Sequence, residues 1–141
     1  MAGNAKAVVR DIGLLILRAG LGLMFVTQHG WDKISHPAEW AKYGAAMGNL
    51  GVHFAPQFWG FMAAFSEFAG GICLVLGLLT RPMAGLIAFT MTVAMVMHLH
   101  GGDGFAKAQI PLQYGIVALV LLLTGPGRVS LDRLIFRGSR D

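Results

Sequence analysis

Apolar residues fill four long segments of this chain without alternating. The first runs from Ile12 to about Lys33, the second from Gln57 to Leu79, the third from Pro82 to about Leu99 and the fourth from Gln109 to Thr124. Unbroken runs of this length predict helices, because a half-buried strand alternates every second residue. At ~1.5 Å per residue, each run crosses most of a ~30 Å hydrocarbon layer. A membrane-spanning sheet must close into a barrel, and four runs are too few for one. The helix breakers agree with these limits. Pro82 and Pro111 fall in predicted first turns, where a missing N–H is harmless. Gly101-Gly102-Asp103-Gly104 and Gly125-Pro126-Gly127 close the third and fourth runs. There is no internal repeat or linker, so residues 1–141 read as one domain. The expected fold is all-α, an integral membrane bundle of four transmembrane helices.

Between the first two runs, Pro37 to Leu50 predicts a short helix lying at the membrane interface. Trp40, Tyr43 and Met47 recur at helical spacing, with Glu39 and Lys42 on the polar side. Such a helix is either a lid over the bundle's mouth or a plain interfacial anchor. Ser130 to Arg137 predicts a second surface helix, with Leu131, Leu134 and Ile135 toward lipid and its arginines toward anionic headgroups. Ser66 with Gly70, and Ala84, Ala88 and Thr92, have the small-residue spacing that lets helices approach closely.

Composition sharpens the class. Apolar types make up 55% of the 141 residues and charged types 13%, and the mean hydropathy is +0.63. A soluble domain carries roughly a quarter charged residues. The balance excludes disorder and argues against nucleic-acid binding despite the formal charge of +4. A lone cysteine, Cys73, excludes an intrachain disulfide and CxxC redox chemistry. Lys6 and Arg10 precede an apolar stretch that is too long for a signal peptide and lacks a small-residue cleavage site, so it is expected to stay in the mature protein. Lys6, Arg10, Arg81, Arg128, Arg133, Arg137 and Arg140 fall on one side of the four spans. Lys33, Lys42 and Lys107 fall on the other. Seven against three predicts cytoplasmic termini. It also places His29, His36, His53, His98 and His100 toward the outer side.

Ionisable groups at membrane depth are costly, so each is a functional candidate. Arg18, Gly22, Phe25, His29 and Lys33 form one drifting stripe along a helix face, and Glu67 is the carboxylate at mid-depth of the second run. Glu67, His29 and Arg18 are therefore the candidate catalytic cluster, expected to meet inside the bundle. Glu67 then either fixes helix packing or exchanges protons with a bound quinone or transported solute. Lys33, His98 and Gln113 are candidates for contact with a bound cofactor. His98 and His100, with Met91, Met95 and Met97 nearby, could ligate copper or haem iron only if the helix ends between the two histidines.

These residues also carry a resemblance. Leu17-Arg18-Ala-Gly-Leu-Gly22-Leu-Met-Phe25 followed by His29-Gly30 and Lys33 resembles the first span of the DoxX family. Glu67, Gly70-Gly71, Leu76-Gly77 and Thr80-Arg81 are similar to its second-span signature. His98 stands where members often end the third span. Gly125-Pro126-Gly127-Arg128-Val-Ser130-Leu-Asp132 is similar to the closing motif. Together these motifs cover residues 11 to 136. Members often carry a carboxylate early in the fourth span, and here Gln113 stands instead. The resemblance implies a four-helix protein of the bacterial inner membrane, similar to subunits of quinone-linked oxidoreductases and of oxidative-stress and detoxification complexes. Three functions follow: a quinone-linked redox subunit, a non-catalytic anchor or assembly partner, and a small carrier with a polar intramembrane path. The first two imply a protein partner; the carrier requires a homo-oligomer, because four helices enclose little volume. No flavin or dinucleotide motif is present, so catalysis would need quinone, haem or copper.

Overall fold

The computed structural model describes residues 2–137; Arg140, one of the seven cations counted above, lies outside them. The first helix, α1 (Ala2–Met24), runs without a break through a π-helical turn, Phe25–Gly30, into α2 (Trp31–Ser35). A helical segment follows: a 3₁₀ turn Pro37–Glu39, α3 (Trp40–Gly44) and a 3₁₀ stretch Ala45–Leu50. The remaining helices are α4 (Pro56–Leu76), α5 (Thr80–His100), α6 (Phe105–Thr124) and the short α7 (Leu131–Arg137). Among the described residues there is no strand, and α4, α5 and α6 are long and apolar enough to cross a membrane. The charges on α1 (Lys6, Arg10, Asp11 and Arg18) set it apart from those three.

α4 packs between α1 and α5, α5 lies antiparallel against α6, and α6 closes back on α1. The core along these seams holds Leu21, Phe25, Leu74, Ala84, Ile87, Met91 and Leu121. Pro111 lies inside α6 rather than in its first turn. The helix starts earlier than the apolar run, at the chain reversal made by Gly104 (φ +75°). Pro111 therefore leaves the Lys107 carbonyl without its i+4 donor.

At the end of the bundle that carries both termini, the segment after α6 clasps two helix ends. Asp132 accepts hydrogen bonds from the N–H groups of Leu79 (2.6 Å) and Thr80 (2.9 Å), capping the start of α5. Its own N–H donates to the Gly77 carbonyl at 2.8 Å. Buried Asp11 faces Arg128, with Oδ2 3.3 Å from Nε.

At the opposite end, the segment expected as one interfacial helix is broken into three short turns and is docked rather than loose. Gly44 and Gly60 explain the docking. A Cβ on Gly60 would overlap the Trp40 carbonyl, and one on Gly44 would overlap that of Pro56, so α3 and α4 meet backbone to backbone. Trp40 adds a hydrogen bond to the Lys33 carbonyl (2.8 Å) and a ring contact with Phe61. Gly60→Ala should therefore cost about 1–3 kcal/mol by overpacking. The expected result is a lower detergent melting temperature with red-shifted Trp40 emission as α3 lifts away. A melting curve matching the parent would show that the seam tolerates a methyl group.

Candidate functional site

Glu67 lies eleven residues into α4, about 16 Å from its first residue. It is 1% exposed. Its Oε1 accepts from Lys33 Nζ at 2.7 Å, an ion pair joining α2 to α4. Gly30 makes the pairing possible. It rests directly on the backbone of Glu67 and Phe68, where any side chain would clash. Glu67 Oε2 is buried and has no partner. A buried polar atom with nothing to bond costs roughly 1–3 kcal/mol, more when charged, so its setting is informative.

That setting is a cavity of about 390 Å³ between α4, α5 and the docked α3 segment. Glu67, Lys33, Ser66 and Thr90 supply polar atoms in its inner part, and Met47, Met62, Leu86, Val93 and Ala94 supply apolar wall. Phe89 (47% exposed) and Met97 (37% exposed) also line it, so the cavity opens sideways on the outer face of α5. Ser66 Oγ lies 2.9 Å from the Ala63 carbonyl, Thr90 Oγ1 lies 3.0 Å from that of Leu86, and the two hydroxyls are 2.7 Å apart. One hydroxyl therefore donates to the other, and the other to its neighbouring backbone carbonyl. Their hydrogens are thus held by the protein, and what they offer the cavity is lone pairs. Trp59 Nε1, also buried and unpartnered, belongs to the same lining. It stands eight residues before Glu67, about 12 Å away along α4.

Near the rim, Lys33 Nζ sits 5.4 Å from the centre of the Tyr43 ring, and the Tyr43 hydroxyl donates to Glu39 Oε2 at 2.9 Å. Burial, followed by the hydrogen bond and charge of Glu39, pushes the Tyr43 phenol above its ordinary value. Tyr43 remains a neutral donor at physiological pH. Lys42 is a further cation at the rim.

The expected meeting of Arg18, His29 and Glu67 does not occur. Arg18, 2% exposed, donates to the carbonyls of Leu74 (3.0 Å), Val75 (2.9 Å) and Val129. Leu74 lies seven residues past Glu67 on α4, about 10 Å away. Arg18 thus closes the C-terminal end of α4 and fastens the segment leading into α7. His29 is exposed and lies toward α6, its ring centre 6.5 Å from that of Tyr114. No hydrogen bond or ion pair joins it to Glu67 or Arg18 among the described residues. The π turn is the physical reason. Its i→i+5 bonding takes more residues per turn, so positions beyond Phe25 lag behind the α-helical register and the stripe splits. Gly30 and Lys33 face α4, whereas Phe25 and His29 face α6.

Of the other candidates, Lys33 lies in the site as the partner of Glu67. Gln113 is exposed, with no hydrogen bond among the described residues. His98 Nδ1 pairs with Asp103 Oδ2 at 2.8 Å, and His100 Nδ1 meets the Val96 carbonyl at 3.0 Å, so the two rings serve separate contacts. Hydrogen bonds from Lys107 and then His98 hold the Asp103 carboxyl below its ordinary range. Among the described residues, no group of three or more His, Cys, Asp or Glu is placed to hold a metal ion. The sequence had flagged Tyr43 and Met47 only as an interfacial stripe, and Trp59 and Thr90 not at all. Their signal is the alignment of two helices, which a single run does not carry.

Comparison with known proteins adds a family and three relatives. The family model DoxX matches residues 13–100. "Inner membrane protein YqjF" of Escherichia coli is 33% identical over 130 residues, covering 90% of this chain and 95% of the relative. "Putative oxidoreductase CatD" of Bacillus subtilis is 27% identical, covering 93% and 92%. "Inner membrane protein YphA" of Escherichia coli is 31% identical, covering 88% and 91%. No solved structure matches the chain.

Proposed function

This chain belongs to the DoxX family, and on that footing we propose that it is the membrane subunit of a quinone-linked oxidoreductase, binding the quinone head group in the Glu67 cavity. The observation that carries the reading is Glu67 Oε2, buried without a partner in the wall of a largely apolar cavity that opens sideways. A lateral opening suits a ligand arriving from the bilayer. Quinone chemistry exchanges two electrons and two protons, and a redox centre on a partner protein handles the electrons. This chain holds the head group. Glu67 takes or returns a proton at Oε2, and Lys33, 24% exposed at its side chain, links that carboxylate to the rim. The oxidoreductase name of the Bacillus relative accords with this assignment.

The same reading makes one domain of residues 1–141 and gives it four spans in an inner membrane. α1 qualifies as the fourth because its two deeper charges turn inward, while Lys6 and Arg10 stay exposed near its start. Arg18 and Asp11 are buried against protein, while Val8, Val9, Ile12, Ile16 and Leu23 are exposed to the surroundings. The lysine and arginine distribution supports cytoplasmic termini and, with them, a cavity in the outer half.

Binding of a short-chain quinone to the detergent-purified protein, followed by quenching of tryptophan emission, tests the assignment. Saturable quenching is expected. Ala63→Leu and Ala94→Leu each add three carbons to the cavity while leaving Glu67 and Lys33 in place. Each should weaken binding at least tenfold in a protein that still melts cooperatively. No saturable binding, or unchanged binding in both folded variants, would reject the cavity as a quinone site.

A further inference from the structure

We propose, building on the quinone reading, that the cavity selects the reduced, hydroxyl-bearing form of the ligand over the oxidised form, and that Glu67 Oε2 is the selecting atom. In its ion pair with Lys33, Glu67 carries no proton, so Oε2 can only accept a hydrogen bond. The oxidised head group has two carbonyl oxygens and no donor, and it leaves Oε2 as it stands, buried and unpaired. The reduced head group brings an O–H that fills this position. Ser66 and Thr90 push the same way, because their two hydrogens are used between the hydroxyls and on one backbone carbonyl, which leaves lone pairs as their spare capacity.

The donors in the site do not reverse this preference. Lys33 has N–H groups beyond the one given to Glu67, and these serve a carbonyl or a hydroxyl oxygen equally. Trp59 stands eight residues, about 12 Å of helix rise, before Glu67, so its Nε1–H meets the other end of the ligand and likewise serves a carbonyl or a hydroxyl oxygen. The two redox forms therefore differ at the inner end by one charge-assisted hydrogen bond. The pair is neutral overall, so the occupant it suits is an uncharged aromatic diol with an apolar tail.

A hydrogen bond to a charged group corresponds to roughly 10- to 100-fold in affinity. For a two-electron couple, that ratio raises the potential of the bound ligand by about 30–60 mV. The experiment measures anaerobic binding of one short-chain quinone, its quinol and the quinol's dimethyl ether to the purified protein. The expected order is quinol tightest by about 10- to 100-fold, with quinone and ether similar. The ether keeps the oxygens and removes the O–H, so it tests the donor on the unaltered chain. In Glu67→Gln, whose amide presents a donor as well as an acceptor, the quinol-to-quinone ratio should fall below about threefold. Equal binding of quinol and quinone, or an ether that binds as tightly as the quinol, overturns the selectivity and leaves the quinone site standing. Absence of saturable binding by all three removes both.

Discussion

Replacing Arg18 with alanine is expected to lower the detergent melting temperature by about 10 °C or more. The guanidinium serves the Leu74 and Val75 carbonyls in the last turn of α4, and the Val129 carbonyl in the segment running to α7. Helix-terminal carbonyls lack the i+4 donor of interior ones. Leu74 keeps a 3.2 Å bond from the Gly77 N–H, so alanine strands the Val75 and Val129 carbonyls and leaves Leu74 with that one longer bond. Bonds from a charged donor contribute roughly 1.5–3 kcal/mol each. Even with strong non-additivity, the loss is several kcal/mol of a total near 5–15. At this chain length 1 kcal/mol moves the melting temperature by roughly 2–4 °C. Arg18→Lys should recover less than half, because a point ammonium cannot reach three carbonyls at once. Quinone binding per folded molecule should be unchanged in both variants, since Arg18 is about 10 Å from Glu67 along α4. A melting curve within a few degrees of the parent, or selective loss of binding, would contradict the structural role assigned here.

Arg18 also shows what was legible in the chain and what was not. Its depth, and the high cost of an unpaired charge there, follow from the run around it. Its partners do not, because Leu74 and Val129 are remote in sequence and offer backbone atoms that any residue type could supply. The long helices were legible from their unbroken apolar runs, and their breaks from glycine-rich reversals such as Gly101 to Gly104. The face pattern of the first helix failed at the π turn. Nothing in Phe25–Gly30 announces the change of register, which accompanies Gly30 seating on the α4 backbone. The same limit applies to the docked α3 segment. Trp40, Tyr43 and Met47 mark an amphipathic stretch, but the cavity that Tyr43 and Met47 wall exists only because Gly44 and Gly60 let two backbones touch. Glu67 and Lys33 were each legible as candidates; their pairing depended on that unannounced turn.

Lys33→Met should destabilise the protein by about 2–3 kcal/mol, and adding Glu67→Met should restore most of the loss. Breaking a buried pair by removing one partner costs roughly 3–5 kcal/mol, because the remaining charge stays buried and unpaired. Lys33 is 24% exposed at its side chain, so solvent already screens part of the pair and the lower figure applies. Glu67 is only 1% exposed, so solvent offsets little of the penalty once its partner is removed. With both partners replaced by methionine no charge remains, and apolar replacements of buried pairs are often neutral in stability. Glu67→Met alone should cost less than Lys33→Met, since the freed ammonium can turn toward the rim beside Tyr43. A double-mutant cycle on detergent melts measures this coupling. The double variant should fold like the parent and yet lose its preference for the quinol, separating stability from selectivity in one protein. If Lys33→Met melts no lower than the double variant, the pair does not hold the carboxylate in place. If the double variant keeps the quinol preference, the selecting atom lies elsewhere in the cavity.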